Sequence, residues 1–144
     1  LNKLFLILFI VAALVSSGVV LSSYAQAAEE IKSPHVIAYY FHGKFRCPTC
    51  HKIEQYSKEA LESGFKDEIS SGKLVFKEID VEEKGNEHFV EDYGLYTKSL
   101  VLSLIKDGKE ADWKNLPAVW EYVGDKEKFI DYVRKEASAF LGEL

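Results

Sequence analysis

Val36-Ile37-Ala38-Tyr39-Tyr40-Phe41, then His42-Gly43-Lys44-Phe45-Arg46, then Cys47-Pro48-Thr49-Cys50-His51: this run decides the fold. Its first six residues are apolar and rich in aromatics, the pattern of a short buried strand. The next five read as a turn. Pro48 suits the first turn of a helix, where its missing N–H costs nothing. Ile53, Tyr56, Ala60, Leu61 and Phe65 then recur at helical spacing. A strand therefore feeds a helix through a pair of thiols, and Cys47 and Cys50 are the only two cysteines in the 144-residue chain. A bridge between them closes almost no loop, so it adds little as a structural cross-link. Reversible thiol exchange suits the spacing better. The same segment also reads Cys-x-x-Cys-His, the attachment signature of a c-type haem.

Working outward toward the C-terminus, Ser63-Gly64 bends the first helix and Ser70-Ser71-Gly72 ends it. Lys73 to Val81 reads as a second strand. A polar helix is expected from Glu82 to Tyr93, with Phe89, Val90 and Tyr93 on its core face, stopped by Gly94. Leu100 to Ile105 is a third strand. Lys106-Asp107-Gly108-Lys109 is a hairpin turn, because Asp-Gly suits two positive φ angles, and Glu110 to Trp113 is its antiparallel partner. Asn115 to Tyr122 reads as a short helix. Asp125 is an N-cap for a last helix that places Phe129, Ile130, Val133, Ala137, Phe140 and Leu141 on one face. Trp113 and Trp120 are expected to cover one end of the core. The charge-rich run Lys77 to Glu91 is expected to be solvated. The order is β-α-β-α-β-β-α, an α/β fold with a central mixed sheet flanked by helices.

The other end of the chain has a different character. Lys3 supplies a positive flank, Leu4 to Val15 is almost wholly apolar, and Val19 to Leu21 extends the run past Ser16-Ser17-Gly18. Ala25-Gln26-Ala27 then makes a small-residue cleavage site. This is the pattern of a secretory signal peptide over residues 1–27, followed by one domain over 28–144. An uncleaved membrane anchor is the alternative, since Leu4 to Leu21 nearly spans a bilayer. Either reading sends the domain out of the cytoplasm, to a periplasmic or other extracytoplasmic site, with a membrane tether in the second. Export places the thiols in an oxidising or redox-managed compartment. Lys and Arg number 18 against 23 Asp and Glu, a net charge of −5, with no basic cluster, which argues against nucleic acid as a partner.

Taken together, the strand leading into Cys47-Pro48-Thr49-Cys50, the strand ending in Ile79-Asp80-Val81, Asp92-Tyr93-Gly94-Leu95 before the third strand, and the Lys-Asp-Gly-Lys hairpin resemble the thioredoxin-like family over about residues 35 to 142. Tyr40-Phe41-His42-Gly43, Arg46-Cys47 and Lys98-Ser99-Leu100-Val101-Leu102 further resemble an exported subgroup labelled as a nitrophenyl-compound nitroreductase subunit, although the chain carries no flavin or nicotinamide signature. The family resemblance implies a thiol-disulfide oxidoreductase or dithiol electron carrier. Its partner is a protein disulfide or dithiol, and it needs no cofactor beyond its own thiols. Cys47, at a helix N-terminus and near Lys44 and Arg46, is the expected attacking thiolate. Cys50 is the expected resolving thiol. Pro48, Thr49 and His51 flank them.

Two departures from the family pattern stand out. The strand before the motif carries no acidic residue, so proton transfer at Cys50 needs another group, with His42 and His51 as candidates, or water. The family's cis-proline before the third strand is also missing; its nearest match is Thr97-Lys98-Ser99-Leu100, with Ser99 or Thr97 in its place. In the family that proline faces the dithiol, shapes the peptide groove and discourages metal binding. Two rivals stay open beside the redox reading. A c-type haem protein needs both thiols in thioether bonds and His51 on the iron, with His35, His42 or His88 as the other ligand because the chain has no methionine. A copper- or zinc-binding module needs Cys47, Cys50 and a histidine, yet no second ligand pair is spaced for a site.

Overall fold

The computed structural model describes residues 33–144, within which Pro34–Leu144 form one compact unit. The expected signal segment or anchor over 1–27 lies outside the described residues. Among the described residues, no helix is long and apolar enough to cross a membrane. In chain order the elements are β1 (His35–His42), α1 (Pro48–Gly64), α2 (Lys66–Ser70), β2 (Leu74–Asp80), α3 (His88–Asp92), β3 (Ser99–Lys106), β4 (Lys109–Asn115), α4 (Val119–Tyr122) and α5 (Lys126–Leu141). The four strands form one sheet in the order β2-β1-β3-β4. β1 pairs parallel with β2 and antiparallel with β3, and β3 pairs antiparallel with β4. This is the thioredoxin-like topology that the sequence implied.

The sheet has two unlike faces because side chains alternate along each strand. Val36, Ala38 and Tyr40 of β1 share one face with Leu100, Leu102 and Leu104 of β3. There they meet Ile53, Ala60 and Leu61 of α1 and Phe129, Val133, Ala137 and Phe140 of α5, which form the main core. Ile130 and Leu141 of the expected α5 face pack at its margin. The other face carries Phe41 and Val101, with Tyr93 and Leu95 laid against them and Tyr39, Ile79, Val81 and Phe89 at the edge. Trp113 meets Tyr93 on this second face, with ring centroids 5.1 Å apart, whereas Trp120 packs against the main core. The two tryptophans therefore belong to different layers and do not cover one end together.

Local chemistry explains most boundaries. Asp125 caps α5 by accepting the Lys128 N–H at 3.3 Å. The hairpin has φ of +53° at Asp107 and +72° at Gly108, the two positive angles that Asp-Gly tolerates. The Ser63-Gly64 bend is sharper than expected: the helix stops at Gly64, and α2 restarts after Phe65. Gly64 lies against Arg134 of α5, where a Cβ would come within 3.0 Å of Nε. Arg134 in turn donates to the Ala60 carbonyl (3.2 Å) and Ser63 Oγ (2.8 Å), closing the open end of α1 onto α5.

The helix expected over Glu82 to Tyr93 shrinks to His88–Asp92. Asp80 accounts for the loss. Its carboxylate accepts the Glu82 N–H (2.9 Å) and its carbonyl accepts from Asn86 Nδ2 (3.0 Å), which folds the segment into turns. Gly85 then sits at φ +100°, incompatible with a helix. Val90, expected in the core, is exposed. The short helix expected over Asn115 to Tyr122 likewise shrinks to Val119–Tyr122, because β4 extends through Asn115.

Candidate active site

The C-terminal end of β1 and the N-terminus of α1 bring the thiols together. Cys47 is the N-cap of α1, with extended backbone (φ −82°, ψ 165°), and Pro48 occupies the first helical turn. Its sulfur takes the place of the usual capping oxygen, accepting the Cys50 N–H at 3.3 Å. Both cysteines are free thiols. Cys47 is half-buried, while Cys50, one turn in, is only 2% exposed.

This geometry separates the two acidities. The Cys50 S–H and N–H both donate to Cys47 Sγ, which holds the Cys47 thiol below its ordinary range. Burial pushes the Cys50 thiol up, and its own hydrogen bond to Cys47 adds to that. One sulfur is thus set up to ionise and the other to keep its proton.

The basic residues before the motif do not serve Cys47 in the way their position suggested. Arg46 is held by two carboxylates, Glu54 of α1 and Glu78 of β2, the latter at 2.7 Å. It also lies over the Tyr40 ring, 5.8 Å from the centroid. Lys44 is exposed on the turn. The Arg46 contacts tie the loop before the thiol to both the helix and the sheet.

Beneath α1, Tyr40 is fully buried and donates its hydroxyl to the Cys50 carbonyl at 2.7 Å. Burial raises its phenol to about 12. His42, two residues along the same strand face, directs Nδ1 to the Gly43 carbonyl (3.0 Å) and Nε2 to Glu78 (3.1 Å). The carboxylate that His42 meets comes from β2, and it also holds Arg46, the residue before Cys47.

The other sequence candidates scatter. Thr49 is half-buried in the first turn of α1, and Pro48 and His51 are exposed there. Ser99 is buried opposite Phe41 of β1, so it points to the second face of the sheet, away from α1, and donates to the Thr97 carbonyl at 2.9 Å. Thr97 is exposed in the groove at the C-terminal end of β1, beside Tyr96, Lys98 and His42. Of the histidines offered as haem ligands, His88 pairs with Asp92 on α3 (2.7 Å) and His35 opens β1.

Sequence reading missed Tyr40 as a neighbour of the dithiol and Glu54 and Glu78 as partners of Arg46. The Glu78 contact follows from the pairing of β1 with β2, in which Tyr40 lies beside Glu78, and the Tyr40 contact from α1 lying over β1; no local pattern encodes either. Arg46 was read only as a nearby charge.

A haem does not fit these residues. Two thioether bonds need both sulfurs at one open surface, and Cys50 is buried in the first turn of α1. Among the described residues, no three His, Cys, Asp or Glu side chains converge in a group that could hold a metal ion.

No protein-family model matches the chain, and no curated protein matches it. Solved structures similar to it include Trxlp of Edwardsiella tarda (12% identity, TM-score 0.43, covering 76% of this chain and 91% of that one). Fasciola hepatica thioredoxin is similar at 25% identity and TM-score 0.40, over 72% of this chain and 91% of its own. Plasmodium falciparum thioredoxin is similar at 19% identity and TM-score 0.39, over 69% and 90%.

Proposed function

We propose that this chain is an exported thiol-disulfide oxidoreductase or dithiol electron carrier working through Cys47 and Cys50, with a protein disulfide or dithiol as its partner. The observation that carries the reading is the split between a half-exposed sulfur hydrogen-bonded as a helix cap and a buried sulfur beside it. In the reducing direction, the Cys47 thiolate attacks one sulfur of the partner disulfide, and the other leaves as a thiolate. Cys50 then loses its proton and attacks Cys47 Sγ, releasing the second partner sulfur. Two electrons pass from the dithiol to the partner, and the Cys47–Cys50 disulfide is the product. The reverse sequence makes the chain an oxidant.

The exported part of the proposal rests on the pattern over residues 1–27. N-terminal sequencing of the protein from its native membrane and extracytoplasmic fractions tests it: Ala28 as the first residue supports cleavage, an intact N-terminus in the membrane supports an anchor, and recovery from the cytoplasm overturns both. Kinship with the exported subgroup rests on Tyr40 to Gly43, Arg46-Cys47 and Lys98 to Leu102 alone, and the chemistry proposed for it here is dithiol exchange without flavin or nicotinamide.

The deciding experiment equilibrates the purified protein with a glutathione series and records its absorbance spectrum. A reversible two-electron couple with no Soret band is expected. A value near about −270 mV marks a reductant and one near about −120 mV an oxidant. Thiols that show no reversible couple overturn the reading.

A further inference from the structure

Three hydrogen bonds shape the first turn of α1 around the thiols. The Cys50 N–H donates to Cys47 Sγ at 3.3 Å. The His51 N–H donates to the Cys47 carbonyl at 3.1 Å. The Cys50 carbonyl, on the same peptide unit as the His51 N–H, accepts the Tyr40 hydroxyl at 2.7 Å. The first two bonds lie within the turn, and the third ties it to β1.

Tyr40 is held firmly at its own end. It is fully buried in the main core. The Arg46 guanidinium lies over its ring, 5.8 Å from the centroid, and is itself held by Glu54 of α1 and Glu78 of β2. Burial raises the phenol to about 12, so at neutral pH the hydroxyl keeps its proton and stays a donor. A peptide unit that accepts at its oxygen donates more strongly at its nitrogen. The Tyr40 bond therefore tightens the His51 bond to the Cys47 carbonyl and closes the turn. Closure aims the Cys50 N–H at Cys47 Sγ. A charged sulfur gains much from that donor, and a disulfide sulfur gains little.

We propose that Tyr40 is a positioning residue that sets the reduction potential of the dithiol, by holding the Cys50 peptide so that the Cys50 N–H stays aimed at Cys47 Sγ. This deepens the dithiol reading and rests on it. Tyr40 acts through the Cys50 backbone and exchanges neither a proton nor an electron. Its effect falls mainly on the reduced form, where the sulfur carries charge. Stabilising that form makes the couple more oxidising.

The test equilibrates the full chain with a glutathione series at neutral pH, where the dithiol and oxidised glutathione give the intramolecular disulfide and two reduced glutathiones. Tyr40→Phe removes the hydroxyl alone. It is expected to shift this equilibrium toward the protein disulfide by about three- to tenfold, which places the couple about 15 to 30 mV more negative. Val36→Ala is the control: it removes buried methyl groups from the same face of β1, away from the turn, and is expected to lower stability while leaving the potential in place. A bond that served stability alone would cost the two redox forms equally. A potential unmoved by Tyr40→Phe, or moved as far by Val36→Ala, therefore overturns the assignment. If Tyr40→Phe loses its dispersed amide spectrum, 3-fluorotyrosine at position 40 takes its place. It is a stronger donor of nearly the same size and is expected to make the potential less negative; an unmoved value again overturns the role. Absence of a reversible couple in the parent chain overturns the dithiol reading itself, whereas a parent couple with unmoved variants overturns the role of Tyr40 alone.

Discussion

Cys47 Sγ accepts the Cys50 N–H where most helices place an oxygen, and its acidity is therefore tied to the intactness of the first turn of α1. The largest single contributor is the Cys50 S–H. Replacing Cys50 by alanine removes that donor and keeps the N–H. The midpoint of Cys47 alkylation by iodoacetamide, followed against pH, is expected to lie below the ordinary thiol value of about 8.5 in the parent and to move up toward it in Cys50→Ala. An unchanged midpoint would mean that backbone donors and the helix dipole suffice. At this scale the sequence was half legible. The position of the thiols and the Pro48 start followed from local pattern. Tyr40 and Glu78 did not, because the first meets the helix packed over its own strand, 10 residues before Cys50, and the second comes from the neighbouring strand, 32 residues from Arg46.

Among the elements, those with a strong period were readable and those made by turn chemistry were not. β1, β3, α1 and α5 carry patterns that burial then satisfied. The segment after β2 is polar enough to pass for an exposed helix, yet Asp80 captures Glu82 and Asn86 before a helix can begin. The β3–β4 hairpin shows the opposite case, in which two residues specify an element. Gly108→Ala places a side chain at φ +72° and is expected to cost about 1 kcal/mol in urea unfolding. Gly124→Ala provides the control. A Cβ there meets nothing within 4 Å and the backbone is not left-handed, so its effect is expected to stay within about 0.5 kcal/mol. Equal losses at both glycines would remove the turn as the cause.

For the molecule as a whole, tyrosines are the groups most changed by folding. Burial raises Tyr40 from 10.0 to about 12, and it also raises Tyr39, Tyr93 and Tyr132. Tyr93 is pushed further by Glu110, whose carboxylate accepts hydrogen bonds from both Tyr93 and Ser103. The folded chain holds these phenol protons more tightly than the unfolded chain does. Their contribution to stability is full below pH 10 and is lost as pH rises toward about 12. Urea midpoints measured on either side of pH 10 are expected to fall on the alkaline side, with phenolate absorbance appearing together with unfolding. A flat alkaline profile would contradict the raised values. Sequence showed that the chain is rich in tyrosine. Only the two unlike faces of the sheet reveal which of them are shielded.

The sulfur cap at the head of α1 makes an electronic event a mechanical one. A thiolate is a good acceptor for the Cys50 N–H, whereas a sulfur bonded to another sulfur carries no charge and is a poor one. Oxidation therefore loosens the first turn of the helix without moving its far end, which Arg134 pins to α5. The Cys50 amide proton becomes an internal gauge of redox state. Its exchange with solvent deuterium is expected to be slower in the reduced protein than in the oxidised one, while amides near Leu61 exchange alike in both. Equal rates at Cys50 would mean that the cap outlives the thiolate. Unequal rates would mark the first turn of this helix as softer when its two sulfurs are bonded than when they are free.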